Sequence, residues 1–204
     1  MTRKEEDKRK GRAPQEKEIV KFFFELGQLA KVKRTGWWLI AEKSPNSISD
    51  HSFRAASIGY VMGKLEKVNA EKVALMCLFQ DFPEARILDL HKLAQRYLDS
   101  KKAEKDAFRE QVSRLPKPIA DEMMHLWDQY STDSSREGII ARDADLLENA
   151  LEAREMIIIG YADAQLWIDS IRKILRTSLA KRLLMIIEKE DPNSWWKGLK
   201  RIER

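Results

Sequence analysis

Cysteine is almost absent from this chain, since Cys77 is the only one among its 204 residues. One cysteine excludes a disulfide framework within a single chain. Cys77 lies inside the apolar run 73–79. We therefore expect a buried core thiol here, rather than a nucleophile or a redox centre.

Long hydrophobic runs are missing as well. No apolar stretch approaches the roughly 20 residues that a helix needs to cross a bilayer. Residues 1–7 also lack the apolar segment of a secretory leader. We therefore expect a cytoplasmic protein that does not act at a membrane.

Strand patterns and several well-known catalytic motifs are absent too. No alternation of apolar and polar residues occurs between turn signals, and no repeat of fixed period is visible. The chain contains neither a glycine-rich phosphate loop, nor a paired-cysteine motif, nor a Gly-x-Ser-x-Gly elbow. The predicted fold class is therefore all-α, with about eight helices.

An excess of positive charge is found only at the two ends of the chain. The formal net charge is +5, but the body 19–194 balances 27 basic residues against 27 acidic ones. A neutral body is a poor electrostatic match for DNA or RNA, so nucleic acid is not an expected partner.

The composition that remains is that of a compact protein of one domain. Hydrophobic residues make up 43% of the chain and charged residues 35%, which excludes wholesale disorder. We predict a flexible charged arm over 1–15, one helical domain over 16–190 and a basic C-terminal tail over 191–204. Trp195 and Trp196 lie in this tail, and we expect them to fasten it to the body or to a second subunit.

Apolar residues recur at helical spacing through most of the predicted domain. Ser49 or Asp50 is suited to cap the second helix, with His51 in its first turn, and Pro83 stops the third helix soon after Asp81. The predicted helices cover 16–32, 49 or 50–65, 69 or 70–81, 90–98, 101–115, 118–130, 136–159, 163–176 and 178–190.

Four short segments combine residue types on which hydrolytic chemistry depends. They are Arg-Thr-Gly-Trp at 34–37, Ser-Asp-His-Ser-Phe-Arg at 49–54, Gln-Asp-Phe-Pro-Glu-Ala-Arg at 80–86 and Ala-Arg-Asp-Ala-Asp-Leu-Leu-Glu at 141–148. In order and spacing, over about 29–153, these segments resemble the motifs of HD-domain metal-dependent phosphohydrolases, in particular the branch with bacterial 5'-deoxynucleotidases. The resemblance implies that 16–190 form a single HD-domain helical bundle.

The resemblance also implies a metal site. Members of the family hold one divalent metal ion between two histidines and two aspartates, which correspond here to His51, Gln80, Asp81 and Asp145. Gln80 departs from the pattern, because the family has a histidine at this position. Three helices that meet at their polar ends are able to present four such ligands around one ion.

The activity that the resemblance implies is removal of phosphate from (deoxy)nucleoside 5'-monophosphates by a water that the metal activates. Glu84 would orient or deprotonate this water, and Asp89 would assist the leaving group and select 2'-deoxyribose. Arg34 would clamp the phosphate, and Trp37 would pack against the sugar or base. The family often forms homodimers, so a homodimer that binds a nucleoside monophosphate is expected.

Gln80 bears directly on which metal is expected. Its amide is neutral like imidazole, but its oxygen is a harder and weaker donor than a histidine nitrogen. Among Mn, Mg, Co, Ni and Zn, we therefore expect the oxygen-preferring Mg or Mn to be favoured. The alternative to hydrolysis is a relative that keeps the pocket and binds nucleotide without cleaving it. A third hypothesis, a scaffold that uses the basic ends, conflicts with the balanced body.

Several assignments stay open at this point. Asp143 competes with Asp145 as the last metal ligand, and only the match to the family motif favours Asp145. Arg34 and Trp37 suit a boundary salt bridge and a core aromatic equally well. His91 is outside the ligand pattern, although it is near enough to Asp89 in sequence to face the same pocket.

Overall fold

The computed structural model describes residues 3–199, with side chains from Gln15 onwards. Within this range the chain forms nine α-helices and no strand, which confirms the all-α prediction. The helices are α1 (Arg3–Leu26), α2 (Ile48–Leu65), α3 (Ala70–Phe79), α4 (Glu84–Ile87), α5 (Ser100–Val112), α6 (Lys117–Thr132), α7 (Arg136–Ile158), α8 (Gln165–Ile174) and α9 (Ser178–Ile187). None of the described helices is long and apolar enough to cross a membrane.

The first helix starts earlier than the sequence predicts. α1 begins at Arg3 rather than at residue 16, and it ends at Leu26, where a short 3-10 helix follows. The flexibility predicted for 1–15 stays a prediction. At the other end Trp195 and Trp196 are exposed, and the indole N–H of Trp196 donates to the side chain of Asn193. Residues 200–204 of the basic tail lie outside the described residues.

The helix predicted over 90–98 is wrong. This segment contains only a short 3-10 helix, Ala94–Arg96. Two side chains satisfy backbone groups that an α-helix would have used: the ring of His91 accepts from the N–H of Ala94, and the amide of Gln95 donates to the carbonyl of Leu90. Such local bonds compete with regular helix formation.

The start of α2 also differs from the prediction. Its N-cap is Ser47, two residues before Ser49 and three before Asp50, and Asp50 completes a capping box with it. His51 therefore follows the capping turn directly. The start of α3 agrees with the sequence, because the side chain of Asn69 caps it by accepting from the N–H of Lys72.

The centre of the bundle is the packing of α7 against α2 and α3. Two glycines let α2 approach α3 closely: a Cβ on Gly59 would lie 2.8 Å from Sγ of Cys77, and one on Gly63 would lie 2.7 Å from Cα of Ala70. Cys77 is fully buried, as expected for a core thiol. This close contact sets the start of α2, where His51 lies, near the end of α3, where Gln80 and Asp81 follow.

Candidate functional site

His51 is at the centre of a buried group of polar side chains. Its Nε2 lies 2.9 Å from a carboxylate oxygen of Asp145 and 3.4 Å from one of Asp81. The side-chain amide of Gln80 lies 3.5 Å from the same nitrogen. On the opposite edge of the ring, Nδ1 pairs with Glu148. We refer to these five residues as the His51 cluster. The four side chains that the sequence suggested as metal ligands therefore meet at one nitrogen.

Three helices bring the cluster together. His51 lies near the start of α2, Asp145 in the middle of α7, and Gln80 and Asp81 directly after α3. The backbone at Gln80 is held from outside the cluster, because its carbonyl accepts from the indole N–H of Trp127 at 3.2 Å. The site is thus built from helix ends and one helix face, which are rigid parts of the bundle.

The donor set fits a divalent cation. Two ligands that each lie about 2.1 Å from a common ion are about 3.0–3.4 Å apart, close to the separations of Asp145 and Asp81 from His51. A carboxylate oxygen of Asp81 is buried without a hydrogen bond. Across the described residues, no three His, Cys, Asp or Glu side chains already stand as a preformed metal site.

The two aspartates are held in different protonation equilibria. Burial and the nearby charge of Asp145 raise the pKa of Asp81 to about 7. Burial also acts on Asp145, but the hydrogen bond and charge of His51 outweigh it and lower the pKa of Asp145. The hydroxyl of Tyr130 donates a further hydrogen bond to Asp145 at 3.0 Å. Asp81 is therefore the less satisfied of the two carboxylates.

Glu148 is a functional candidate for which the sequence argument assigned no role. It is fully buried on α7, one helical turn after Asp145, and pairs with His51 on one side and with Arg54 at 2.8 Å on the other. Arg54 also binds Glu155 at 2.7 Å. A carboxylate that accepts from Nδ1 of a histidine leaves Nε2 free to bind a metal. The signal in the sequence was the spacing of three residues from Asp145, which places both on one helix face.

Arg34 lies behind the cluster. Its guanidinium donates to the side chain of Asn149 on α7. Burial disfavours its charge, but Asp89, Asp81 and other nearby carboxylates raise the pKa of Arg34, so it stays charged. Arg34 is therefore a fixed cation beside an acidic cluster, rather than one half of a boundary salt bridge.

Trp37 packs as a core aromatic in the described structure. Its side chain is 1% exposed, and its ring stacks on Trp167 of α8 with the ring centroids 4.9 Å apart. This packing favours the core alternative that the sequence left open. A contact between Trp37 and a substrate stays a prediction.

Glu84 begins the short helix α4, and Asp89 lies two residues after its end. One of the carboxylate oxygens of Glu84 is buried without a hydrogen bond. Burial, together with the charges of Asp81 and Asp89, raises the pKa of Glu84 well above its ordinary value. The carboxylate of Asp89 accepts a hydrogen bond from the N–H of Thr35 at 2.7 Å. Thr35 is the residue that follows Arg34 in the chain.

Asp143 and Asp145, the two competing acids of α7, make different contacts. The carboxylate of Asp143 accepts from the backbone N–H groups of Arg176 and Thr177, at 3.0 and 2.7 Å, and so holds the start of α9. Both carboxylate oxygens of Asp143 thus accept hydrogen bonds within the bundle. Asp145, two residues along α7, is the one that reaches His51.

Comparisons with known proteins agree with this geometry. A family model described as HD domain matches residues 26–186, a range that contains the whole His51 cluster. The Homo sapiens protein named 5'-deoxynucleotidase HDDC2 is 30% identical over 138 residues, 67% of this chain and 67% of that one. The 5'-deoxynucleotidase YfbR of Escherichia coli is 27% identical over 153 residues, 68% of this chain and 74% of that one.

A solved structure shows the same fold. The crystal structure of the PH0347 protein from Pyrococcus horikoshii OT3 matches with a TM-score of 0.72 at 29% sequence identity. The match covers 83% of this chain and 98% of that chain. The bundle described above is therefore an arrangement that a similar sequence also adopts.

Proposed function

Since the chain belongs to the HD domain family, we propose that it is a metal-dependent phosphohydrolase that removes phosphate from deoxynucleoside 5'-monophosphates. The observation that carries the proposal is that the side chains of Gln80, Asp81 and Asp145 all approach Nε2 of His51. One buried carboxylate oxygen of Asp81 has no hydrogen bond. Relatives named 5'-deoxynucleotidases supply the substrate class.

The four donors of the His51 cluster would hold one divalent ion, with Mg or Mn preferred because of Gln80. Such an ion, when bound, makes a water more acidic and offsets negative charge on phosphate. Two carboxylates, from Asp81 and Asp145, balance the charge of a divalent cation. Glu148 would orient the ring of His51 by accepting from Nδ1, so that Nε2 faces the ion.

Glu84 is the proposed base. It is buried near Asp81 and has a raised pKa, so it holds a proton more readily than an exposed carboxylate would. A base with a pKa nearer to the working pH accepts a proton from water more effectively. Asp89, at the far end of α4, is proposed to assist departure of the 5'-oxygen and to contact the deoxyribose.

Arg34 is the proposed phosphate clamp. A guanidinium presents two parallel N–H groups to phosphate oxygens. Arg34 keeps its positive charge among the surrounding carboxylates, and the bond to Asn149 holds it in place. It therefore brings positive charge to a site where Asp81, Asp145 and Glu148 would otherwise repel a phosphate.

The direct test is release of phosphate from a panel of deoxynucleoside and nucleoside 5'-monophosphates after chelation, with Mg, Mn and Co added back separately. We expect turnover with Mn or Mg and a preference for deoxynucleotides. Asp81→Asn prepared in parallel controls for contaminating phosphatases. Absence of turnover with every metal would contradict the proposal.

A second candidate is a nucleotide-binding relative that does not hydrolyse its ligand. The placement of the Gln80 amide supports it, because this amide approaches the imidazole of His51 in place of a histidine. In this case nucleotide would raise the unfolding temperature without release of phosphate. A homodimer also stays a prediction.

A further inference from the structure

A cavity lies beside the proposed site, on the far side of Asp89. Its volume is about 340 Å³, and its lining includes Thr35, Trp38, Leu88, Asp89, Leu90 and His91. Thr35 and Asp89 connect the cavity to the site through two hydrogen bonds of 2.7 Å. The N–H of Thr35 donates to the carboxylate of Asp89, and the hydroxyl of Thr35 donates to the backbone carbonyl of Asp89. Thr35 also follows Arg34 directly. The cavity therefore adjoins both Asp89 and the residue next to the proposed phosphate clamp.

The walls of the cavity are largely apolar, and two of its large side chains are unusually accessible. Trp38 is 51% exposed, whereas Trp37 beside it is 1% exposed. The 3-10 helix Thr35–Ile40 carries both residues, and it turns one indole into the core and the other towards the cavity. An accessible indole at the wall of a pocket offers a flat surface on which a planar ring is able to stack.

The backbone at Leu88 is strained. Its φ of 66° and ψ of 168° belong to a region that is costly for residues other than glycine. Leu88 is nevertheless 54% exposed, so the burial of its side chain does not explain the strain. The strained turn does place Leu88 at the cavity wall and Asp89 against Thr35.

His91 completes this wall in a defined orientation. Its Nδ1 accepts from the backbone N–H of Ala94 at 3.1 Å, which fixes the plane of the ring. The volume of the cavity is at the lower end of the range of about 300–1,000 Å³ that is typical of sites for small ligands. It suits one nucleoside.

From these contacts we propose that the cavity is the nucleobase subsite, in which Trp38 stacks on the base while Asp89 contacts the sugar. The proposal rests on the function proposed above. Because stacking on an aromatic ring is available to every base, the subsite accepts both purines and pyrimidines. Purines bind more tightly, since their rings cover more of the indole.

The experiment compares Trp38→Ala with Leu39→Ala, on dAMP and on 2-deoxyribose 5-phosphate, which has no base. Leu39 is a matched control, because it is 49% exposed on the same 3-10 helix but does not line the cavity. We expect Trp38→Ala to raise the KM for dAMP about tenfold, in keeping with the loss of one stacked base. It should leave kcat for dAMP and kcat/KM for 2-deoxyribose 5-phosphate within twofold. Trp38→Phe should restore most of the affinity, and Leu39→Ala should change neither substrate.

Equal effects of Trp38→Ala on the two substrates, or no effect on either, would overturn the subsite. Failure of the proposed function is distinguishable, because then neither substrate is hydrolysed by the natural protein. In that case, calorimetric titration of the natural protein and of Trp38→Ala with dAMP, in the presence of a chelator, tests the subsite independently of hydrolysis. Binding that weakens about tenfold in Trp38→Ala supports it, and binding that is absent or unchanged overturns it.

Discussion

Two groups of partly buried charged side chains in this bundle differ in how completely their carboxylates are hydrogen-bonded. In the first, Glu25 of α1 accepts hydrogen bonds from Arg86 of α4 and from Gln111 and Arg114, and its two carboxylate oxygens both have partners. We refer to these four residues as the Glu25 cluster. In the second, the His51 cluster, a carboxylate oxygen of Asp81 is buried without a hydrogen bond.

The protonation of the two groups follows the same division. Burial disfavours the charge of Glu25, but hydrogen bonds from Arg86 and Gln111 prevail and lower the pKa of Glu25. At Asp81, burial prevails and raises the pKa to about 7. A satisfied carboxylate stabilises the fold, whereas an unsatisfied one is costly unless a cation completes it. The Glu25 cluster is therefore satisfied within the fold, whereas the His51 cluster contains a carboxylate that the fold leaves unsatisfied.

The largest effect is expected for Asp81→Asn. Loss of one ligand carboxylate should lower Mn affinity and kcat/KM by at least about 100-fold, while the metal-free protein should keep its stability within about 1 kcal/mol, because an unsatisfied charge is removed. Calorimetric titration of Mn, phosphate release and urea denaturation measure these quantities. If Asp81→Asn lowered the free energy of unfolding of the metal-free protein by several kcal/mol, Asp81 would stabilise the fold as Glu25 does, and the two clusters would not differ in role.

Glu148→Gln tests how the His51 cluster is oriented. The amide no longer attracts the proton to Nδ1 of His51, so we expect metal affinity to fall about 10–100-fold. Burial and Arg34 disfavour the charged imidazole of His51, but hydrogen bonds with Asp145 and Glu148 raise the pKa of His51 to about 9. Nitrogen NMR of the metal-free protein should show that this pKa falls in Glu148→Gln. Glu155→Gln is the matched control, since Glu155 binds the same Arg54 but does not contact His51. An unchanged pKa of His51 in Glu148→Gln would remove the proposed role of Glu148.

Gln80→His should strengthen the His51 cluster as a metal site. An imidazole nitrogen is a better ligand than an amide oxygen for Co and Zn, so their affinity should rise about tenfold or more, with little change for Mg. Metal titrations of both proteins, together with phosphate release in each metal, provide the readout. An increase of less than about threefold for Co and Zn would mean that residue 80 does not bind the metal.

Glu25→Gln should affect stability rather than chemistry. Removal of the charge leaves Arg86 and Arg114 without their common partner, and we expect a loss of about 2 kcal/mol in the free energy of unfolding. Activity per folded molecule should change little. Glu110→Gln is the control, because Glu110 also binds Arg86, at 2.9 Å, but is largely exposed. If both variants have the same urea midpoint, the Glu25 cluster does not stabilise the fold as proposed.

The same variant gives a pH dependence of known sign. The pKa of Glu25 is lower in the folded chain than its ordinary value of 4.5, so its stabilisation is fully present above that value and is lost as the pH falls through the folded pKa. Below about pH 4.5 the stability of the natural protein should therefore decline more steeply than that of Glu25→Gln. Urea midpoints at several acidic pH values measure the difference, and parallel curves would contradict it.

Much of the bundle could be predicted from hydrophobic periodicity. For example, the predicted helix over 136–159 agrees closely with α7 (Arg136–Ile158), because its buried residues recur at regular spacing. The segment 90–98 could not be predicted in the same way, because the side chains of His91 and Gln95 bind its backbone. Competition of this kind depends on side-chain geometry rather than on the order of apolar residues.

The site shows the same limit. The motifs identified Gln80, Asp81 and Asp145 as neighbours of His51, and the structure places them there. The partner of Glu148 could not be predicted, because spacing along α7 shows which residues share a face but not which residue of α2 lies opposite. That pairing depends on how α2 packs against α7 in the folded bundle.

The positions of the neighbouring tryptophans in the 3-10 helix Thr35–Ile40 restrict insertions and deletions in this segment. Trp37 is in the core and Trp38 lines the cavity, and they are adjacent in the sequence. Deletion of one residue between Arg34 and Trp37 would move Trp38 to the core position of Trp37, and insertion of one residue would move Trp37 to the cavity position of Trp38. Either change would therefore disturb both the core and the cavity. Substitutions are therefore the way to redesign this wall of the cavity, and changes of length belong after Ile40, where the chain leaves the 3-10 helix at Ala41.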